Sequence, residues 1–178
     1  MKKLLLFSAC IMLAFASCKK SDPTKSNTTA VGTISATIGG VNETFTTSVV
    51  AESVDTPSYT IAISGFRGTG ATQEGIQIGI SSYKPITTGT YTISSALSND
   101  VVYTPFVGYY KNTSVSSLVT FGTDFSAVHI TTIIITSLSS TNVQGTFSGV
   151  LINEDGTSTD TQTITDGKFD VNITKANQ

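Results

Sequence analysis

Ile76, Ile78 and Ile80 alternate with Gln77, Gly79 and Ser81, and the same alternation appears at Ile34, Ala36 and Ile38 against Thr33, Ser35 and Thr37. An apolar residue at every second position places all of them on one side of an extended chain, because successive strand side chains point to opposite faces. Such a chain buries one face of a sheet and wets the other. It does not build an amphipathic helix, whose period is about 3.6 residues.

The pattern repeats along the chain. Gly39-Gly40 reads as a two-residue hairpin turn, after which Phe45, Thr47 and Val49 return as one strand. Tyr59, Ile61 and Ile63 precede the turn-rich Gly68-Thr69-Gly70-Ala71, Tyr91 and Ile93 follow a Thr88-Gly89 turn, 101–110 is β-prone around Pro105, and 118–121 is short. The window 128–138 is the most apolar. It places Ile130, Ile134 and Leu138 on one face and Ile133 and Ile135 on the other, which predicts a central strand covered on both sides. Val143, Phe147 and Leu151 lead to a turn at Asn153-Glu154-Asp155-Gly156, and the final strand turns Phe169, Val171 and Ile173 inward, with Lys168, Asp170 and Asn172 outward. About ten short antiparallel strands at this spacing predict an all-β domain, a sandwich or a small closed barrel. The expected core includes Ile34, Ile61, Ile78, Ile134, Phe147, Phe169 and Val171. Threonine recurs because its branched, hydroxyl-bearing side chain suits a solvated strand face.

The N-terminal segment differs. Met1-Lys2-Lys3 is basic, and the apolar run 4–15 is shorter than the roughly 20 residues a membrane-spanning helix needs, so 1–17 reads as an export signal. Phe15-Ala16-Ser17-Cys18 fits the small-small-Cys pattern of lipoprotein processing, in which the Cys18 thiol receives the lipid. Phe15 replaces the usual aliphatic residue. The rival reading is cleavage after Ala16, releasing a soluble protein. The Cys18 reading is preferred because a polar tether follows at once, so the chain divides into a signal (1–17), a lipidated Cys and tether (18–30), and one all-β domain (31–178).

With Cys10 in the signal and Cys18 lipidated, the mature chain of 161 residues has no thiol left for a disulfide, a nucleophile or a thiolate metal site. Loss of Lys2 and Lys3 takes the net charge from −2 to −4, and Arg67, Lys84, Lys111 and Lys168 are scattered. A nucleic-acid partner is therefore not expected. A transmembrane barrel shares the alternation, but a lipid anchor would be redundant there, and the chain has no Trp for interfacial girdles and no terminal aromatic. The absence of Trp also removes the Gly-x-Trp signature of lipocalin-like ligand barrels.

Catalytic chemistry is poorly represented. His129 is the only histidine and cannot build a multi-His metal site, and no Gly-x-Ser-x-Gly elbow accompanies it. Glu43, Glu52 and Glu74 are isolated, and Glu154 with Asp155 lies in a turn that lacks the ordered oxygen ligands of a calcium loop. No catalytic residue, metal or cofactor is expected.

Thr88-Gly89-Thr90-Tyr91, Asn142-Val143-Gln144-Gly145-Thr146-Phe147-Ser148 and Ile164-Thr165-Asp166-Gly167-Lys168-Phe169-Asp170-Val171 resemble the run found in small uncharacterised all-β lipoproteins of glycan-degrading gut and environmental bacteria. The resemblance covers most of the mature domain. It implies a lipid-tethered envelope protein and supplies no catalytic residues to carry over.

The expected function is that of a lipid-anchored outer-membrane lipoprotein, its membrane face left open, acting as a non-catalytic binding or accessory module for glycans. The alternatives are a structural or assembly partner of another envelope protein, and a hydrolase whose acidic pair only the fold assembles. The expected partners are the membrane, through the lipid on Cys18, and a glycan or envelope protein. The candidate recognition surface is Tyr103, Phe106, Tyr109 and Tyr110, with Lys111 and Asn112 alongside. Tyr103 and Tyr109 share one parity and Phe106 and Tyr110 the other, so a regular strand cannot expose all four.

Overall fold

The computed structural model describes residues 32–55, 58–93, 103–114, 117–126, 128–156 and 158–175. The signal, Cys18 and the tether lie outside them. Among the described residues the fold is all-β, with eleven strands. They are β1 (Thr33–Ile38), β2 (Val41–Phe45), β3 (Thr47–Val54), β4 (Tyr59–Arg67), β5 (Glu74–Ser82), β6 (Gly89–Thr92), β7 (Tyr103–Ser114), β8 (Ser117–Thr123), β9 (Thr131–Leu138), β10 (Asn142–Asn153) and β11 (Thr161–Lys175). A single 3-10 turn, Gly70–Thr72, precedes β5.

One layer runs β6-β9-β10-β11-β1-β2 and the other β3-β4-β5-β7-β8. They join at two corners. Residues 173–175 of β11 pair in parallel with 51–53 of β3, and residues 151–153 of β10 pair with 121–123 of β8. The strands from β11 through β3, β4, β5, β7, β8 and β10 thus form a closed ring, and the other four strands extend its first layer. Every pairing except β11–β3 is antiparallel.

The alternation dictates the core. Ile61, Ile63, Ile78 and Ile80 from one layer meet Ile133, Ile135, Val143 and Phe169 from the other, and the space they line has no room for a water molecule. The outward positions of the first layer, by contrast, carry Thr33, Ser35, Thr132, Gln144, Thr146, Lys168 and Asp170. These positions put polar side chains over an apolar interior.

Local chemistry explains the turns and breaks. Gly39 and Gly40 both adopt positive φ (57° and 85°), so the expected hairpin forms, with Ile38 opposite Val41. The return strand, expected to be continuous through Phe45, Thr47 and Val49, is instead two strands. The chain leaves β2 at Thr46, whose N–H donates to Phe66 O, and Ser48 takes φ 49°, so that β3 starts in the opposite layer. In β11, Asp166 (φ 54°) forms a bulge that puts both Ile164 and Phe169 on the inner face although five positions separate them.

The expectation for 128–138 is corrected in one respect. β9 begins only at Thr131, and it has one buried face, because no described residue covers the outside of the layer there. Ile133 and Ile135 are buried, whereas Ile134 is 36% exposed and Ile130 59%. Ile134 therefore leaves the core list, while Ile34, Ile61, Ile78, Phe147, Phe169 and Val171 are all buried.

Aromatic rings fill the space over glycines. Gly145 faces Phe169 and Phe147 faces Gly167 across the β10–β11 ladder, and a Cβ on either glycine would run into the opposing ring. The two rings lie 6.4 Å apart.

The corner at β8 depends on one hydroxyl. β8 pairs with β7 as far as Gly122 and with β10 over residues 121–123, so at Thr123 only the β10 ladder continues. Buried Thr123 continues the lost ladder with its side chain: Val107 N–H donates to Thr123 Oγ1 (2.8 Å), which in turn donates to Val107 O (3.2 Å). Pro105, two residues back, has no N–H to lose on that side. Thr123→Val should leave the buried Val107 N–H and C=O unpaired and cost about 2–4 kcal/mol, whereas Thr123→Ser should cost about 1 kcal/mol or less. Urea denaturation of the two variants checks this.

Candidate functional site

Three groups of polar and aromatic side chains stand apart from the core. The first is on the outer face of the β3-β4-β5-β7-β8 layer, where the outward positions of β5 and β7 include Gly75, Gly79 and Gly108. Glycines leave flat backbone floor, and aromatic cross-strand neighbours occupy it. Phe106 lies opposite Gly79, and a Cβ at Gly79 or at Gly108 would come within 3.2 or 3.1 Å of opposite ends of its ring. The half-buried ring therefore occupies the space over both glycines. Tyr110 lies opposite Gly75 and covers it in the same way, while Phe66 of β4 meets Tyr110 edge-on at 5.8 Å.

Polar groups adjoin these rings. Gln77, half-buried, sits on the outer face between Ser64 and Gly108, diagonal to both Phe106 and Tyr110. On the far side, Gly122 is the cross-strand neighbour of Gly108, and the Glu154 carboxylate lies over it. Glu154 comes from the β10–β11 connection and is tied to β8, its N–H donating to Thr120 O (3.0 Å). Burial against the sheet raises its pKa, and a side-chain hydrogen bond with Thr120 opposes that shift. Burial also pushes the Tyr110 phenol up to about 12, so its hydroxyl stays protonated at neutral pH.

The expected recognition residues separate accordingly. Phe106 and Tyr110 are together on the outer face. Tyr109 is buried on the inner side, donating its hydroxyl to Glu74 Oε2 (2.8 Å). Burial comes first among the causes that raise the Tyr109 pKa, followed by that bond. Tyr103, 39% exposed at the strand end, meets Tyr91 edge-on at 5.0 Å. Lys111 shares the inner parity of Tyr109, opposite Glu74. Asn112 faces outward but serves the 3-10 turn, its N–H donating to Gln73 O and its side-chain amide to Gly70 O. Phe66, Gln77 and Glu154 enter the face without having been singled out for it. Gly75 and Gly79 of β5 and the aromatics of β7 are visible in the sequence, but their alignment is set by the β5–β7 register.

The second group is at one end of the barrel, where Arg67 bridges Glu43 (2.8 Å) and Glu74 (2.9 Å). The hydrogen bond to Glu74 is foremost in raising the Arg67 pKa. These two carboxylates do converge, but on a guanidinium that neutralises them, which is chemistry for holding β2, β4 and β5 together.

Compared with protein-family models, curated proteins and solved structures, the chain matches none.

The third group closes the loop after β8. Asp124, 4% exposed, accepts hydrogen bonds from Ser126 N–H and hydroxyl and from His129 N–H, and pairs with His129 Nδ1 at 2.9 Å. Burial disfavours its charge, but these bonds outweigh burial and hold the carboxyl below its ordinary range. His129 thus pins a loop. A carboxyl whose folded pKa is depressed contributes stability above its unfolded value near ~4, and that stability is lost as pH falls through the folded value. Asp124→Asn should therefore cost about 1–3 kcal/mol at pH 7 and progressively less below about pH 4. Chemical denaturation across pH 2–7 reads the convergence of the two curves.

Proposed function

We propose that this protein is a non-catalytic glycan-binding module of the cell envelope, held to the membrane by a lipid on Cys18. The observation that carries the reading is the half-buried Phe106 ring seated over Gly79 and Gly108, with Tyr110 over Gly75 on the same outer face. The part of such a ring that reaches solvent can stack against the C–H surface of a pyranose. Amide, carboxyl and phenol groups at its edge, here Gln77, Glu154 and Tyr110, exchange hydrogen bonds with hydroxyls. Supported on backbone, the rings lose little entropy when a ligand arrives.

Phe106→Ala and Tyr110→Ala should each weaken binding on a glycan array by at least about tenfold, as expected for loss of 1.4 kcal/mol or more, while both variants keep a folded circular dichroism spectrum. Tyr109→Ala should instead destabilise the fold, since it removes a buried ring and a partner of Glu74. Retained glycan binding by both outer-face variants would overturn the proposal.

The anchor is tested separately. Cys18→Ala should abolish incorporation of labelled fatty acid in the expressing bacterium, because no other cysteine remains after the signal is removed. A wild-type chain that takes up no label would favour the soluble form released after Ala16.

A further inference from the structure

We infer that Glu154 makes this face select uncharged pyranosides and reject uronates. The inference rests on the glycan reading above. Four contacts set the carboxylate in place. It covers Gly122, cross-strand neighbour of the Gly108 under the Phe106 ring. It shares a hydrogen bond with the side chain of Thr120, itself the cross-strand neighbour of Tyr110. The Glu154 N–H donates to Thr120 O, and Asn153 Oδ1 accepts from Asp155 N–H at 2.9 Å, which fixes the turn that presents the side chain.

A sugar stacked on Phe106 and Tyr110 therefore places its rim against a carboxylate. Among the described ion pairs, Arg67 is taken by Glu43 and Glu74 and Lys175 by Asp55, and Glu154 appears in none. A carboxylate without a cation accepts hydrogen bonds from neighbouring hydroxyls and repels a second carboxylate at the same rim. Gln77 lies across Gly108 from Gly122 and Glu154 and is neutral, so it does not compensate the charge. The aromatic rings supply affinity for any pyranose, and Glu154 supplies the discrimination.

Isothermal titration of the full chain with neutral hexose oligomers and uronate oligomers of equal length tests this. The wild type should bind the neutral series at least about tenfold more tightly. Glu154→Gln preserves size and removes charge, and should narrow the gap to about threefold or less by gaining uronate affinity. In the wild type, raising salt from 20 to 500 mM should narrow the same gap while neutral binding stays level, a readout that does not depend on the variant folding. An unchanged gap in both arms, or a wild type preferring uronates, overturns the inference while leaving glycan binding intact. Failure to bind either series, with Phe106→Ala indistinguishable from wild type, overturns the glycan reading and this inference together.

Discussion

Rings seated on glycines across a strand pair organise this molecule inside and out. Phe169 on Gly145 and Phe147 on Gly167 fill the interior of the β10–β11 ladder, while Phe106 on Gly79 and Tyr110 on Gly75 cover the outer side of β5–β7. In each pair the ring occupies volume that any other residue's side chain would claim. Shifting either ladder by two residues would keep every side chain on its face, so burial alone does not forbid it. The rings do, because on the inner face they would then lie on Val143 or on Phe169 and Ile164 rather than on glycine. The interaction that locks register in the core is thus the same one that seats half-buried aromatic rings on the outer face.

The ring of strands also has to change neighbours without abandoning backbone hydrogen bonds. At one corner the Thr123 hydroxyl stands in for the missing rung of β8. At the other, β11 runs past the end of β1 and pairs with β3 instead, in the one parallel pairing of the fold. The bulge at Asp166 lets β11 serve both purposes, since it resets the inward parity midway along the longest strand. Polar clusters then fasten what the apolar layers do not reach: Arg67 between two glutamates at one end, and Asp124 with Ser126 and His129 in the loop after β8.

Much of this was legible in period-two patterning. The all-β class, the Gly39-Gly40 hairpin and the inward face of Phe169 and Val171 follow from alternation and turn chemistry alone. What patterning misses is decided by distant partners. The break between Phe45 and Val49 is invisible locally, because Thr47 and Val49 keep alternating while the chain changes layers. Ile134 looks like core until the layer proves to be covered on one side only. Among the aromatics, parity separates Tyr109 from Tyr110 but does not say which faces out. That depends on Gly75 lying opposite Tyr110, a pairing set by the β5–β7 register. Glu154 was the least legible residue of the site, since it reaches the face from a loop that follows β10, a strand of the other layer.

The position of β11 in the chain has a consequence for how the molecule comes into being. This last strand pairs with β1, near the start of the domain, with β3 and with β10. During synthesis the other ladders, such as β1 with β2, β5 with β7 or β8 with β10, can form before β11 emerges, but none of those made by β11 can. Until then β1 and β3 each present an edge with no partner, and closure comes as a late event spanning nearly the whole domain. A fold dominated by such distant pairings forms slowly, and its waiting edges are open to other extended chains. Folding of this chain therefore depends on those edges staying shielded for the interval between the first strand and β11.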